Sequence, residues 1–154
     1  MSITLNILSI LLLFAVFYQD LKSNQIYLII LIALCALGFI NTNESIKSIA
    51  ICVSIIIGLT GISALAVSAI KKKQAIALGD FLIIGYICIR FNIISVLIIL
   101  IISSILGIVY SLFLSNKNNI PLAGFIAFTS IILIGLEYLN IIFNIETVYG
   151  LLTN

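Results

Sequence analysis

Two aspartates, Asp20 and Asp80, stand in a chain that has no histidine. Without an imidazole base, the Ser-His-Asp and Cys-His arrangements are excluded, and metal sites lose their commonest nitrogen ligand. Two carboxyl groups can still hydrolyse an amide if the fold brings them together. A few ångströms apart in a low dielectric they cannot both ionise, and the pair shares a proton. The ionised member takes a proton from water, and the protonated member donates one to a peptide carbonyl oxygen. That chemistry needs no cofactor and no metal, and none is expected. Each acid also has an ordinary explanation. Asp20 fits a solvated loop residue balanced by Lys22, and Asp80 fits a partner for Lys71, Lys72 and Lys73. Neither explains an acid placed directly after Gly79 in an otherwise apolar stretch. A glycine there admits close approach of backbone or substrate.

The elements that must position these acids follow from composition. The chain of 154 residues is 64% hydrophobic and 8% charged, with a mean hydropathy of +1.42. A soluble domain is about half apolar and about a quarter charged. Disordered segments have the opposite bias. A net charge of +2 is too small for a nucleic-acid footprint, so no nucleic-acid partner is expected. The fold class expected is all-α: a polytopic integral membrane protein of about six transmembrane helices, in one membrane-embedded domain over residues 1–154.

Polar punctuation places the spans at 3–18, 26–40, 46–70, 75–89, 93–114 and 121–143. Only helices and closed barrels satisfy their backbone groups in hydrocarbon, and these runs lack the alternation of barrel strands. Pro121 stands at the start of the sixth span, where a missing N–H is harmless. The first span has no basic start and no small-residue cleavage site, so it is expected to be a span and not a signal peptide. Lys22, Lys71, Lys72, Lys73 and Lys117 follow the odd-numbered spans, while Lys47 and Arg90 follow the even-numbered ones. The positive-inside rule then puts the first group in the cytoplasm and both termini outside. Asp20 ends the first span, and Asp80 lies about one and a half turns into the fourth. Both therefore fall at shallow depth on the cytoplasmic face, where intramembrane acids are functional candidates. Ser54, Gly58, Gly61, Ala64 and Ser68 form a row of small residues expected to pack against a neighbouring helix, as do Ser103 and Gly107. Cys35, Cys52 and Cys88 are expected to be packing residues. Arg90 and Glu44 share the outer face and are expected to be solvated or weakly paired. Glu137 is expected at the outer interface.

Three blocks resemble the type IV prepilin peptidases, a family of GxGD-type membrane aspartyl proteases. Asp20-Leu21-Lys22-Ser23-Asn24-Gln25-Ile26 is similar to the D-L-K-x-x-x-I-P-N block. Ala77-Leu78-Gly79-Asp80-Phe81-Leu82-Ile83-Ile84-Gly85 is similar to the G-x-G-D-x-K-L-x-x-x-G region. Ile120-Pro121-Leu122-Ala123-Gly124-Phe125 is similar to the I-P-F-G-P-F block. Their order, spacing and six-span layout cover nearly the whole chain. The resemblance implies a prokaryotic plasma-membrane (inner-membrane) aspartic endopeptidase, working at the cytoplasmic face. Its substrates would be prepilins or pseudopilins of a type IV pilus or protein secretion system. Such enzymes remove a short basic leader ahead of a hydrophobic helix. Asp20 and Asp80 would be the catalytic pair, and Gly79 would shape the active-site backbone. The likeness is to the short form without the N-terminal methyltransferase region, so no methyltransferase activity is expected. The chain departs from the pattern at Tyr27 (for Pro), Ala77 (for Gly) and Leu82 (for Lys). In the third block, Leu122, Ala123 and Gly124 stand for Phe, Gly and Pro. Two alternatives stay open: an inactive homologue, or a small non-enzymatic transporter or assembly subunit. In a transporter the acids and Glu137 would line a proton path.

Overall fold

The apolar runs become six helices in the computed structural model, which describes residues 3–23, 25–42, 44–71, 78–113 and 121–138, and their side chains except those of 3, 63–71, 78 and 138. They are α1 (Ile3–Ser23), α2 (Leu28–Asn41), α3 (Ile46–Lys71), α4 (Leu78–Arg90), α5 (Ile93–Phe113) and α6 (Leu122–Tyr138). Local chemistry marks several starts. Ser45 Oγ accepts the Ser48 N–H (3.1 Å) ahead of α3, and Asn92 Oδ1 accepts the Ser95 N–H (2.9 Å) ahead of α5. Both are N-caps, which satisfy amides left orphaned by the first turn. Pro121 directly precedes α6, and its carbonyl accepts the Phe125 N–H at 3.2 Å.

Two boundaries differ from expectation in ways that matter for the acids. Helix α1 does not end at Tyr18 but continues to Ser23. Its inward face is the stripe Asn6, Ser9, Leu13, Val16 and Asp20, all buried, at the alternating spacing of three and four that defines one helix face. Lys22 and Ser23 point outward, so the polar stretch extends the helix without breaking its buried face. Helix α4 is described from Leu78, which puts Asp80 in its first turn. The expected start near Ala75 lies outside the described residues, as do Lys72, Lys73 and Lys117.

Helix α4 is the hub of the bundle. It packs on α2, α3, α5 and α6, while α1 packs on α2 and α6, and α5 on α6. Leu13, Val16, Leu34, Ile83, Ile87 and Ile126 are fully buried in the shared core. Helix α3 meets α4 through Ile49, Cys52 and Ile56. This corrects the expected small-residue face. Ser54 is exposed, and a Cβ added at Gly58 or Gly61 would meet nothing within 4 Å. The larger stripe fills the gap to α4, while Ser54, Gly58 and Gly61 lie away from it. Ala64 and Ser68 lie outside the described side chains. Ser103 and Gly107 are buried as expected, with the Ser103 hydroxyl 3.2 Å from that of Thr129 on α6. Cys35, Cys52 and Cys88 are free thiols within the packing.

The outward faces are apolar. Ile29 is 80% exposed and Phe113 81%, and Leu11, Phe14, Leu59 and Ile101 also face out. The outward hydroxyls of Ser54 and Ser104 bond to carbonyls of their own helices at 2.7 Å. Among the described residues, two stretches, Thr4–Ser23 and Ile93–Phe113, are long and apolar enough to cross a membrane.

Gly38 on α2 is where close approach matters. A Cβ there would lie 3.2 Å from the Tyr86 ring and 3.3 Å from Ile89, and Tyr86 is fully buried with little room to yield. Gly38→Ala is expected to destabilise the fold by about 1–3 kcal/mol through overpacking, whereas Gly58→Ala is expected to be neutral or slightly stabilising. Thermal unfolding of the two variants in detergent separates these outcomes.

Candidate active site

Asp20 is on the inward stripe of α1 near its C-terminal end and is only 6% exposed. Its Oδ2 accepts the backbone N–H of Gly124 at 2.6 Å. That amide belongs to the first turn of α6, where N–H groups have no partner within the helix. Pro121 fixes where the helix begins, and the absence of a side chain at 124 lets α1 come close. A Cβ there would sit 3.2 Å from Asp20 Oδ2 and 3.3 Å from Asp20 Cβ. The stacked rings of Phe17 and Phe128, 5.3 Å between centroids, join the same two helices close by.

Asp80 is half-buried in the first turn of α4. It is close enough to Asp20 for the two carboxylates to act on each other electrostatically. The fold therefore places the two aspartates that the sequence singled out within electrostatic range of each other. Both acids also face helix N-termini, Asp80 that of α4 and Asp20 that of α6. The partial positive charge there favours an anion and offsets part of the mutual repulsion. Oδ2 of Asp20 is engaged as the acceptor of the Gly124 amide.

Gly79 sits beside Asp80, facing α2. A Cβ there would make ordinary contacts, 3.5 Å to Ile26 Cδ1 and 3.9 Å to Leu31 Cδ1, so packing alone does not demand a glycine. Gly79→Ala is expected to insert and unfold like the parent, within about 0.5 kcal/mol; a thermal melt in detergent checks this. Of the departures from the family pattern, Leu82 packs against the core, and the amide of Tyr27, which a proline would lack, donates to Gln19 Oε1 at 3.3 Å. Ala77 lies outside the described residues.

Sequence reasoning passed over two features. One is the Gly124 amide; its signal was a glycine three residues after the helix-starting Pro121. The other is a polar cluster at the opposite end of the bundle. Arg90 was expected to be solvated or weakly paired with Glu44, and Glu137 to be an interfacial residue. Arg90 is instead 5% exposed and bridges to the half-buried Glu137 at 3.1 Å. The same guanidinium nitrogen lies 3.5 Å from Asn6 Oδ1, which also accepts from Asn41 Nδ2 at 2.6 Å. Glu44 accepts from the Ser48 hydroxyl at 2.8 Å. No family model, no curated protein and no solved structure matches this chain.

Proposed function

We propose that this chain is a multi-pass membrane aspartic endopeptidase that cleaves the leader from prepilins or pilin-like secretion subunits at the cytoplasmic face. The observation that carries the reading is that Asp20, buried and held by a backbone amide, lies within electrostatic range of Asp80, sixty residues on in the chain. In this reading Asp20 and Asp80 share one proton. The ionised carboxyl takes a proton from water as the water oxygen bonds to the scissile carbonyl carbon. The other carboxyl protonates the carbonyl oxygen. The tetrahedral diol then collapses: its C–N bond breaks, the new amine receives a proton, and the acid is released. Gly79 would lie at the backbone beside the reacting groups, with no metal or cofactor in any step.

The apolar outward faces support a lipid setting. Exposed apolar patches of this extent are foreign to a water-soluble monomer, and the buried polar groups sit inside, as expected in a bilayer. The spans, the cytoplasmic placement of the acids and the external termini belong to the same proposal. The transporter alternative gains little. Between the two polar clusters the core is filled by Leu13, Val16, Ile83, Ile87, Ile126 and Ala127, and the hydroxyls of Thr129 and Ser130 are bonded to carbonyls of their own helix. Ser9 and Tyr86 add buried hydroxyls to this stretch, which is otherwise predominantly apolar among the described residues.

The test is co-expression with an epitope-tagged substrate carrying a basic leader, a glycine and then a hydrophobic helix. The expected outcome is a shortened substrate on gels only when the chain is present. An unshortened substrate alongside well-inserted protein overturns the reading.

A further inference from the structure

We infer that Arg90, Glu137 and Asn6 form a register clamp that positions Asp20 against Asp80 from the far end of the same three helices. Helix α1 carries Asn6 and Asp20, α4 carries Asp80 and Arg90, and α6 carries Gly124 and Glu137. At 1.5 Å rise per residue, each clamp residue stands about 15–21 Å from its partner in the aspartate site. Each helix thus has a polar anchor at either end of its buried face and a mostly apolar stretch between, which also holds Ser9 on α1, Tyr86 on α4, and Thr129 and Ser130 on α6.

Apolar middles do not fix register. Leu13 and Val16 on α1 and Ile126 and Ile134 on α6 are buried apolar groups, whose contacts discriminate less sharply between neighbouring registers than paired polar groups do. In lipid, moreover, apolar side chains find equivalent surroundings on either side of a helix. A buried polar contact removes that degeneracy, because a slipped register strands a charge without its partner. The contacts form a chain across four helices: Glu137 Oε2 to Arg90 Nη2 at 3.1 Å, Arg90 Nη2 to Asn6 Oδ1 at 3.5 Å, and Asn41 Nδ2 to Asn6 Oδ1 at 2.6 Å. The clamp groups also continue the buried faces that carry the site: 6, 9, 13, 16 and 20 on α1, and 123, 127, 130, 134 and 137 on α6. These three are positioning residues, not catalytic ones. The register claim stands on geometry alone, whereas its consequence for turnover rests on the proposed peptidase reading.

The test replaces the ion pair by an apolar one, Arg90→Met with Glu137→Met, a change that usually preserves stability. Register is read without reference to activity by oxidative cross-linking in membranes of cysteines introduced at Phe17 on α1 and Phe128 on α6, against a control with Phe17→Cys and Ile132→Cys one turn further on. With the clamp intact, only the 17–128 pair is expected to cross-link. In the Met variant the 17–128 product is expected to fall and a 17–132 product to appear. Leader cleavage is expected to lose at least about tenfold in kcat with KM within about twofold. The charge-exchanged variant, Arg90→Glu with Glu137→Arg, is expected to restore both readouts. If the Met variant does not accumulate, Asn6→Leu, which removes the shared acceptor and spares the ion pair, is read by the same cross-links. An unchanged cross-link pattern overturns the clamp. A shifted pattern in a protein whose parent cleaves no leader upholds the clamp and overturns the peptidase reading.

Discussion

Replacing Asp20 by asparagine is expected to abolish leader cleavage, with a loss of about a thousandfold or more. The variant should still insert and accumulate. Asparagine keeps an oxygen that accepts the Gly124 amide, and it removes a buried charge, so the fold loses little. What disappears is the proton: an amide neither takes one from water nor gives one to a carbonyl oxygen. Asp80→Asn should have the same effect for the same reason. The double variant should be no worse than either single one, because the two groups act as one unit, and removing half of it leaves nothing to lose. Initial rates for the three variants, with membrane levels checked by immunoblot, decide this. A single variant that retains the parental rate, or losses that multiply in the double variant, would show that the acids do not work as a pair.

The second large effect is expected at Gly124. This position holds Asp20 by an N–H donated at 2.6 Å, and a side chain here would crowd the carboxylate. Gly124→Pro removes the donor and adds a ring where even a Cβ would lie 3.2 Å from the carboxylate oxygen. Cleavage is expected to fall by about a hundredfold or more, and the buried carboxylate oxygen left without its donor is expected to cost about 1–3 kcal/mol in stability. Gly124→Ala keeps the amide and adds only the methyl, so its losses should be smaller in both readouts. Rates and thermal unfolding of the two variants give the comparison. Parental behaviour of Gly124→Pro in both would remove the amide from the site.

Much of this arrangement is legible in the sequence, and the parts that are not have identifiable causes. The six helices follow from apolar runs too long and too little interrupted for anything else. The meeting of Asp20 and Asp80 follows from counting spans, since one helix ends where the other begins. The end of α1 was misjudged because Gln19, Lys22 and Ser23 look like a loop. Only the helical stripe through Leu13, Val16 and Asp20 shows that the helix continues, with its polar residues turned outward. The small residues of α3 pointed to a packing face because spacing identifies a face without saying which way it turns. Ile49, Cys52 and Ile56 form a competing face on the same helix, and tertiary packing chose that one. The Arg90–Glu137 pair joins residues 47 apart on helices that meet only in the folded bundle. No local pattern announces such a pair, although Asn6 and Glu137 do fall in phase with the buried faces.

The most direct measurement uses the purified chain reconstituted in liposomes with a synthetic substrate of basic leader, glycine and hydrophobic helix. Products are sequenced by mass spectrometry, with Asp20→Asn and Asp80→Asn proteins as controls. Cleavage is expected immediately after the glycine, in the presence of a metal chelator, and in neither control. Intact substrate with the parental protein, or the same products from either aspartate variant, would contradict the assignment of this pair as the hydrolytic centre.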